Sequence, residues 1–316
     1  VTDAPGLADR VAALLGEPVT QAGPVGGGSV CRCFRLRRRS GGTVFAKTLA
    51  DAPPGFFAAE AAGLRLLGGT GTVAVPEVLA ADDRTLVLEW VEPGPATPAA
   101  AERLGRELAA LHDVPAPGWG TAHAAFIGPL PLPAAGPGLT SAPRTGSGHG
   151  HGSGHGHGSG PSDGEEDWAA FHAARRLLPF LRQAAERGAV EPADVRAVEQ
   201  LCELLPRIGG PAQPPAVIHG DLWSGNVLFA ADGRARLVDP AAQGGHPEAD
   251  LAMLELFGCP HLERVLAAYE EVRPLPGRRE RVPLHQVHPL LVHAVLFGGG
   301  YGAAAGRAAR AALASV

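Results

Sequence analysis

The chain is expected to fold as an α+β protein of two unequal lobes: a small, mostly β N-terminal lobe with one key helix, and a larger, mainly helical C-terminal lobe. Three observations predict it. Apolar residues alternate with period two in short stretches before residue 92, helical-period stripes dominate after it, and Pro93, Gly94, Pro95 and Pro98 punctuate the passage between them. The expected boundaries are 1–92 for a nucleotide-binding lobe and 93–316 for a catalytic and substrate lobe.

The elements follow in order. Leu7, Val11 and Leu14 or Leu15 share one helical face. Val30, Phe34 and Leu36 fall on one strand parity, with Cys31 and Cys33 on the other. A turn at Arg39-Ser40-Gly41-Gly42 leads into a second strand, Thr43-Val44-Phe45-Ala46-Lys47. Residues 56–67 read as a helix and 85–91 as another strand. Beyond the passage, Leu104, Leu108 and Leu111 stripe one helix, and Val195, Val198, Leu201 and Leu205 another. Short strand-like runs occur at 216–219, 226–229 and 236–239. Residues 128–164 differ in kind: Gly, Pro and Ala dominate, and Gly-Ser-Gly-His-Gly-His repeats from Gly146. Such a segment cannot bury enough apolar surface to offset its ordering entropy, so it is expected to be a disordered loop.

Composition narrows the function. At 316 residues, 45% hydrophobic and 19% charged, the chain is long and apolar enough for a sizeable soluble core. No run approaches the ~18 apolar residues of a membrane helix, and residues 1–20 lack a basic-then-apolar leader pattern. A net charge of −5 gives no electrostatic reason to expect nucleic acid. Four scattered cysteines do not make a disulfide framework, which fits a reduced cytoplasm.

One compositional fact is sharper. Among 27 basic residues Lys47 is the single lysine, so position 47 selects a compact ammonium over a broad guanidinium. Lys47 ends an apolar strand. Glu60 lies on the following helix, on the face that carries Phe57, Leu64 and Leu67, where a carboxylate needs a partner. Lys47 is the expected one. Gly26, Gly27, Gly28 and Ser29 fall between the first two strands, where backbone amides could approach a phosphate with no side chain intervening.

The strongest constellation is His219-Gly220-Asp221-Leu222-Trp223-Ser224-Gly225-Asn226, followed by Asp239. Each piece borders an apolar run, so a strand–loop–strand hairpin is expected to set Asp221 beside Asn226, with Asp239 arriving next to them. Two carboxylates and an amide oxygen suit Mg²⁺, a hard ion. In protein kinases an Asp, an Asn five positions later and a strand-end Asp serve as base and metal ligands. Asp221 is therefore the candidate base, and Asn226 and Asp239 the candidate metal ligands of an ATP-dependent phosphotransferase. Here Gly220 replaces the kinase Arg, and Asp239-Pro240-Ala241 replaces Asp-Phe-Gly. Glu89, Trp90 and Val91 are placed at the hinge that would meet adenine. His219 and Asp250 are expected as structural support, with Asp250 bracing the catalytic loop from a helix opened by Pro247.

The motifs His219-Gly-Asp-Leu-Trp-Ser-Gly-Asn226-Val-Leu-Phe229, Val238-Asp-Pro-Ala241, Glu248-Ala-Asp-Leu-Ala-Met253 and Leu296-Phe-Gly-Gly-Gly-Tyr301 resemble the fructosamine kinase (ketosamine-3-kinase) family, within the aminoglycoside-phosphotransferase-like group of protein-kinase-like folds. The resemblance spans nearly the whole chain except 128–164. It implies ATP- and Mg²⁺-dependent phosphorylation of the 3-hydroxyl of a ketoamine, a fructosamine or ribulosamine on a small amine or a glycated protein. The phosphorylated adduct is prone to break down, so the step would serve deglycation. It also implies Trp223 near the sugar, with His293 and Tyr301 on the substrate side. Ser29 stands where family members commonly carry a cysteine, and Pro289, Val292 and Val295 where polar residues or His are usual. The alternatives are a kinase for aminoglycosides, choline or another amino alcohol, and a nucleotide-binding pseudokinase. The complete set Lys47, Glu60, Asp221, Asn226 and Asp239 weighs against the last.

Overall fold

The computed structural model describes residues 6–26, 30–121, 123–134 and 167–315. Helix α1 (Leu7–Leu15) precedes an antiparallel sheet made of β1 (Val19–Val25), β2 (Arg32–Arg38), β3 (Thr43–Thr48), β4 (Val78–Ala81) and β5 (Thr85–Glu89), ordered β1-β2-β3-β5-β4. Alternation decides its faces. Phe34, Leu36, Val44, Ala46 and Val87 turn one way and pack under Leu7 and Val11 of α1. Leu86 and Leu88 turn the other way against Phe57, Ala61 and Leu64 of α2 (Phe56–Gly69). Lys47 lies in β3 opposite Cys33 and Leu86, on the α2 side of the sheet. That placement carries its ammonium toward α2.

The chain leaves the sheet at Glu89 and is pinned as it enters the helical part: Gly94 N–H donates to Phe229 O at 2.9 Å, and Ala231 N–H to Glu92 O at 2.9 Å. Helix α3 (Pro98–Leu111) is capped by the Thr97 hydroxyl, which accepts from Ala100 N–H. A hairpin of β6 (Ala125–Ile127) and β7 (Leu130–Leu132) follows. This corrects the expected loop over 128–164. Residues 128–134 are ordered, because Leu132 is buried and β7 pairs with β6; residues 135–164, with the Gly/His repeats, lie outside the described residues.

Next come α4 (Trp168–Phe171), running through a π-turn at His172–Leu177 into α5 (Leu178–Glu186), and then α6 (Pro192–Ile208). Helices α7 (Pro247–Phe257), α8 (Leu262–Val272), α9 (Arg278–Phe297) and α10 (Tyr301–Leu313) complete the helical part. Its larger core joins Leu177, Phe180, Leu181, Val198, Leu201, Leu291 and Ala309; a second unites α3 and α8 through Leu104, Leu108, Val265 and Tyr269.

Four short strands lie between α6 and α7 in the chain, β8 (Ala216–Ile218), β9 (Val227–Phe229), β10 (Ala235–Leu237) and β11 (Gln243–Gly245), and Val217, Val227, Phe229, Ala235 and Leu237 join the second core. Here the expected strand–loop–strand hairpin fails. β8 pairs with β11, and β9 with β10, so the loop bearing Asp221 bridges two separate ladders. Asn226 closes a 3₁₀ turn before β9 instead of opening the strand.

Candidate active site

The site is built from the loop outward. His219, fully buried, follows β8, and its Nε2–H donates to Val238 O at 3.0 Å. That tautomer leaves Nδ1 to accept the Asp221 N–H at 3.3 Å. Burial pushes the His219 pKa down against the raising influence of Asp250, so the ring is neutral. Asp250, in the first turns of α7, accepts from His219 N–H at 2.7 Å and Gly220 N–H at 2.9 Å. Burial alone would raise the Asp250 pKa; its bond with His112, the nearby imidazoles and the Gly220 amide outweigh burial and hold it below the ordinary value. His112 in turn meets Tyr269 through Nδ1 at 2.9 Å. Sequence reasoning missed His112 and Tyr269. The available signal was a polar residue closing each of two otherwise apolar helical stripes.

Gly220 has φ 82°, and a Cβ there would run into the Ala241 carbonyl. The backbone crossing explains the replacement of Arg by Gly. Asn226 Nδ2 donates to Asp221 O at 2.8 Å and to its Oδ2 at 3.2 Å. Val238 N–H donates to Asn226 O at 3.1 Å, which draws the strand end carrying Asp239 to the same edge. Asp239 adopts φ 53°, a left-handed conformation uncommon for a side-chain-bearing residue and most tolerated by Asn and Asp.

Lys47 joins the two parts. Its Nζ lies 2.6 Å from Glu60 Oε2 and 2.9 Å from Asp239 Oδ1, with only 4% of the residue exposed. Burial opposes the ammonium, but the two carboxylates dominate and raise its pKa, so it stays charged. Burial pushes Glu60 up to about 7 against the pull of Lys47. Asp239 goes the other way: Lys47 outweighs its desolvation and lowers it. Asp221 is pushed up to about 7, first by burial and then by the Asp239 carboxylate.

These groups face a cavity of about 600 Å³, a common size for a small-molecule site. Gly26, Lys47, Glu60, Glu89, Trp90, Val91, Asp221, Trp223, Asn226 and Asp239 line it. Gly27, Gly28 and Ser29 lie outside the described residues. At the proposed hinge, Trp90 Nε1–H donates to Glu92 at 2.9 Å, and the Arg35 guanidinium lies 4.7 Å from the Trp90 ring centroid. Cys31 and Cys33 also line the wall; burial raises both thiols to about 11, which keeps them protonated at neutral pH. His293 and Tyr301 are not in the cavity wall. They pack with Phe257 and Phe297 in an aromatic group that touches Trp223 through Phe257.

The described residues hold a second set of metal-capable donors, His246, Glu248 and His285, away from the cavity. Arg281 already grips Glu248 through Nε at 2.9 Å and through Nη2, and the two imidazoles are tilted at 33° with centroids 4.6 Å apart. Glu248 is thus held in an ion pair, and His246 is committed to Gln213 Nε2 and the Glu248 N–H.

A sheet carrying a buried Lys–Glu pair, set over a helical part whose loop presents Asp, Asn and a left-handed Asp, defines a phosphotransferase of kinase-like fold. The fructosamine kinase sequence profile matches residues 6–135 and 153–315, and the chain belongs to the fructosamine kinase family. A probable ketoamine kinase of Thermus thermophilus is 37% identical over 279 residues, 88% of each chain. A crystal structure from Thermobifida fusca, assigned as a fructosamine-3-kinase, is 44% identical and superposes with a TM-score of 0.82 over 98% of both chains. LicA, solved with AMP, covers 98% of both chains at 13% identity and TM-score 0.57, a likeness of fold alone. No helix among the described residues is long and apolar enough to cross a membrane.

Proposed function

We propose that this kinase transfers the γ-phosphoryl group of ATP to the 3-hydroxyl of a ketoamine, with Asp221 as the base. The observation that carries the reading is the convergence of Lys47, Glu60, Asp221, Asn226 and Asp239 on one cavity in a chain of this family. Lys47, held by Glu60, is placed to neutralise the nucleotide phosphates. Asp221 accepts the proton of the attacking hydroxyl as its oxygen bonds to phosphorus and the bond to ADP breaks. An ionisation near 7 suits that task, since a base works best close to the ambient pH. Asp250 and His219 hold the loop by its backbone, and of the Asp221 carboxylate only Oδ2 accepts from Asn226, which leaves Oδ1 to face the acceptor.

The residues present fit Mg²⁺. Glu60 and Asp239 place two carboxylates on one ammonium, and the Asp239 carboxylate, after burial, also raises the Asp221 pKa, so negative charge is in excess at this edge. Asn226 and Asp239 would hold the ion, which when bound would neutralise charge building on the phosphate oxygens. Glu89, Trp90 and Val91 supply the hinge toward adenine, Gly26–Ser29 the cover over the phosphates, and Trp223 an aromatic face toward the sugar. Residues 1–92 serve in this reading as the nucleotide lobe and 93–316 as the catalytic lobe.

The test is a screen of ATP consumption over fructosamines, ribulosamines, aminoglycosides and amino alcohols, with the phosphate located on the product by NMR. Turnover is expected with ketoamines and phosphate on O3. Turnover confined to aminoglycosides or amino alcohols overturns the assignment.

A further inference from the structure

Aromatic residues make up only 5% of the chain, yet several gather in one place beside the catalytic loop. From Trp223 the rings run to Phe257 at 6.4 Å, on to His293 at 4.5 Å, and then to Phe297 at 5.5 Å and Tyr301 at 5.1 Å, centroid to centroid. None of the five is fully buried. Trp223 is 38% exposed and Phe297 55%, which puts both among the most exposed large apolar side chains described. A contiguous, accessible aromatic surface that starts at a catalytic loop is costly to leave in water unless something covers it.

We propose that this strip is the subsite for the amine half of the acceptor, and that it selects ketoamines whose nitrogen carries an extended apolar substituent. The inference rests on the ketoamine kinase reading and deepens it. Length is the first argument. A sugar offers about one ring's worth of C–H face, which Trp223 alone can cover, whereas the strip continues through three further steps. Whatever covers Phe257, His293 and Phe297 is the part of the acceptor beyond the sugar, and in a ketoamine that part is the nitrogen and its substituent.

Charge is the second argument. The secondary amine of a ketoamine is cationic when protonated, and aromatic faces attract cations that have shed some of their water. His293 does not oppose this. Burial lowers its pKa, only partly countered by the bond to Pro289 O, so the ring is neutral at pH 7. Its Nδ1–H donates to Pro289 O at 2.8 Å, which leaves the Nε2 lone pair to accept an N–H from the acceptor.

The experiment compares two acceptors with the same sugar and the same charge, fructosyl-methylamine and fructosyl-hexylamine, in the wild type and in Phe297→Ala and Tyr301→Ala. The wild type is expected to favour the hexyl compound in kcat/KM by about tenfold, and each variant to lose most of that ratio. A fraction of misfolded enzyme lowers both rates equally and leaves the ratio untouched, so the readout does not depend on perfect folding. If the wild type turns over both acceptors equally, or the variants keep the full ratio, the strip is not a subsite. If no fructosamine consumes ATP at all, the kinase reading itself falls, and this inference with it.

Discussion

Lys47→Arg keeps the charge and changes only its shape. The native Nζ meets Glu60 at 2.6 Å and Asp239 at 2.9 Å from a site that is 4% exposed. A guanidinium spreads its donors over a rigid plane and cannot place one compact cation between both acids and a phosphate. The Glu60 contact is buried on both sides, while the Asp239 side chain is 48% exposed and its contact is screened by water. Losing one buried charge-assisted hydrogen bond costs about 1.5–3 kcal/mol, or roughly 10- to 150-fold in kcat/KM for ATP. Coupled ADP release with a ketoamine acceptor measures the loss, and thermal unfolding shows whether the variant is folded. A folded Lys47→Arg enzyme within about threefold of wild type would refute the reasoning and make the lone lysine a coincidence of composition.

Two further outcomes are expected. Asp221→Asn removes the proton acceptor but keeps the loop hydrogen bonds, so turnover should fall by roughly 10²–10⁴, while calorimetry still detects Mg-ATP; near-normal turnover would displace Asp221 as base. His172 is buried against Trp168, and its Nε2 has no hydrogen-bond partner among the described residues. Burial, then His285, His288 and Arg176, hold its pKa well below 6.5. The unfolded chain therefore binds a proton that the folded chain refuses, and stability present above pH 6.5 is lost as pH falls below it, by up to about 1.4 kcal/mol per pH unit. His172→Phe should lessen that slope in urea midpoints taken at pH 7.5, 6.0 and 5.0; an unchanged slope would mean that this ring does not contribute.

Much of the site was legible because its residues conflict with their surroundings. A lysine in a chain that otherwise uses only arginine, and a glutamate on the apolar face of α2, each needed a partner, and the structure brings the two together. The spacing of Asp221, Asn226 and Asp239 between apolar runs was equally plain. Strand partners were not. The pairing of β8 with β11 is set by contacts across the chain, and three-residue strands carry too little alternation to reveal a register. β1 was not delimited for a similar reason: Gly23 and Pro24 interrupt its alternation, and its ladder is irregular between Gln21 and Gly23.

Residues that agree with their surroundings were harder to see. Leu132 looked like part of a Gly/Pro-rich loop because composition averaged over 128–164 hid one short strand. Phe257 ends α7, where an apolar residue is unremarkable in sequence, yet its ring joins Trp223 to His293. The support of the catalytic loop was legible only in part: Asp250 was expected to brace it, but His112, which meets Asp250 from the other side, was not. Asp250 binds the backbone of His219 and Gly220, so its partners are atoms that every residue possesses. The motif identified the chemistry, but the geometry of Asp221 depends on a carboxylate 29 residues further along the chain that reads main chain alone.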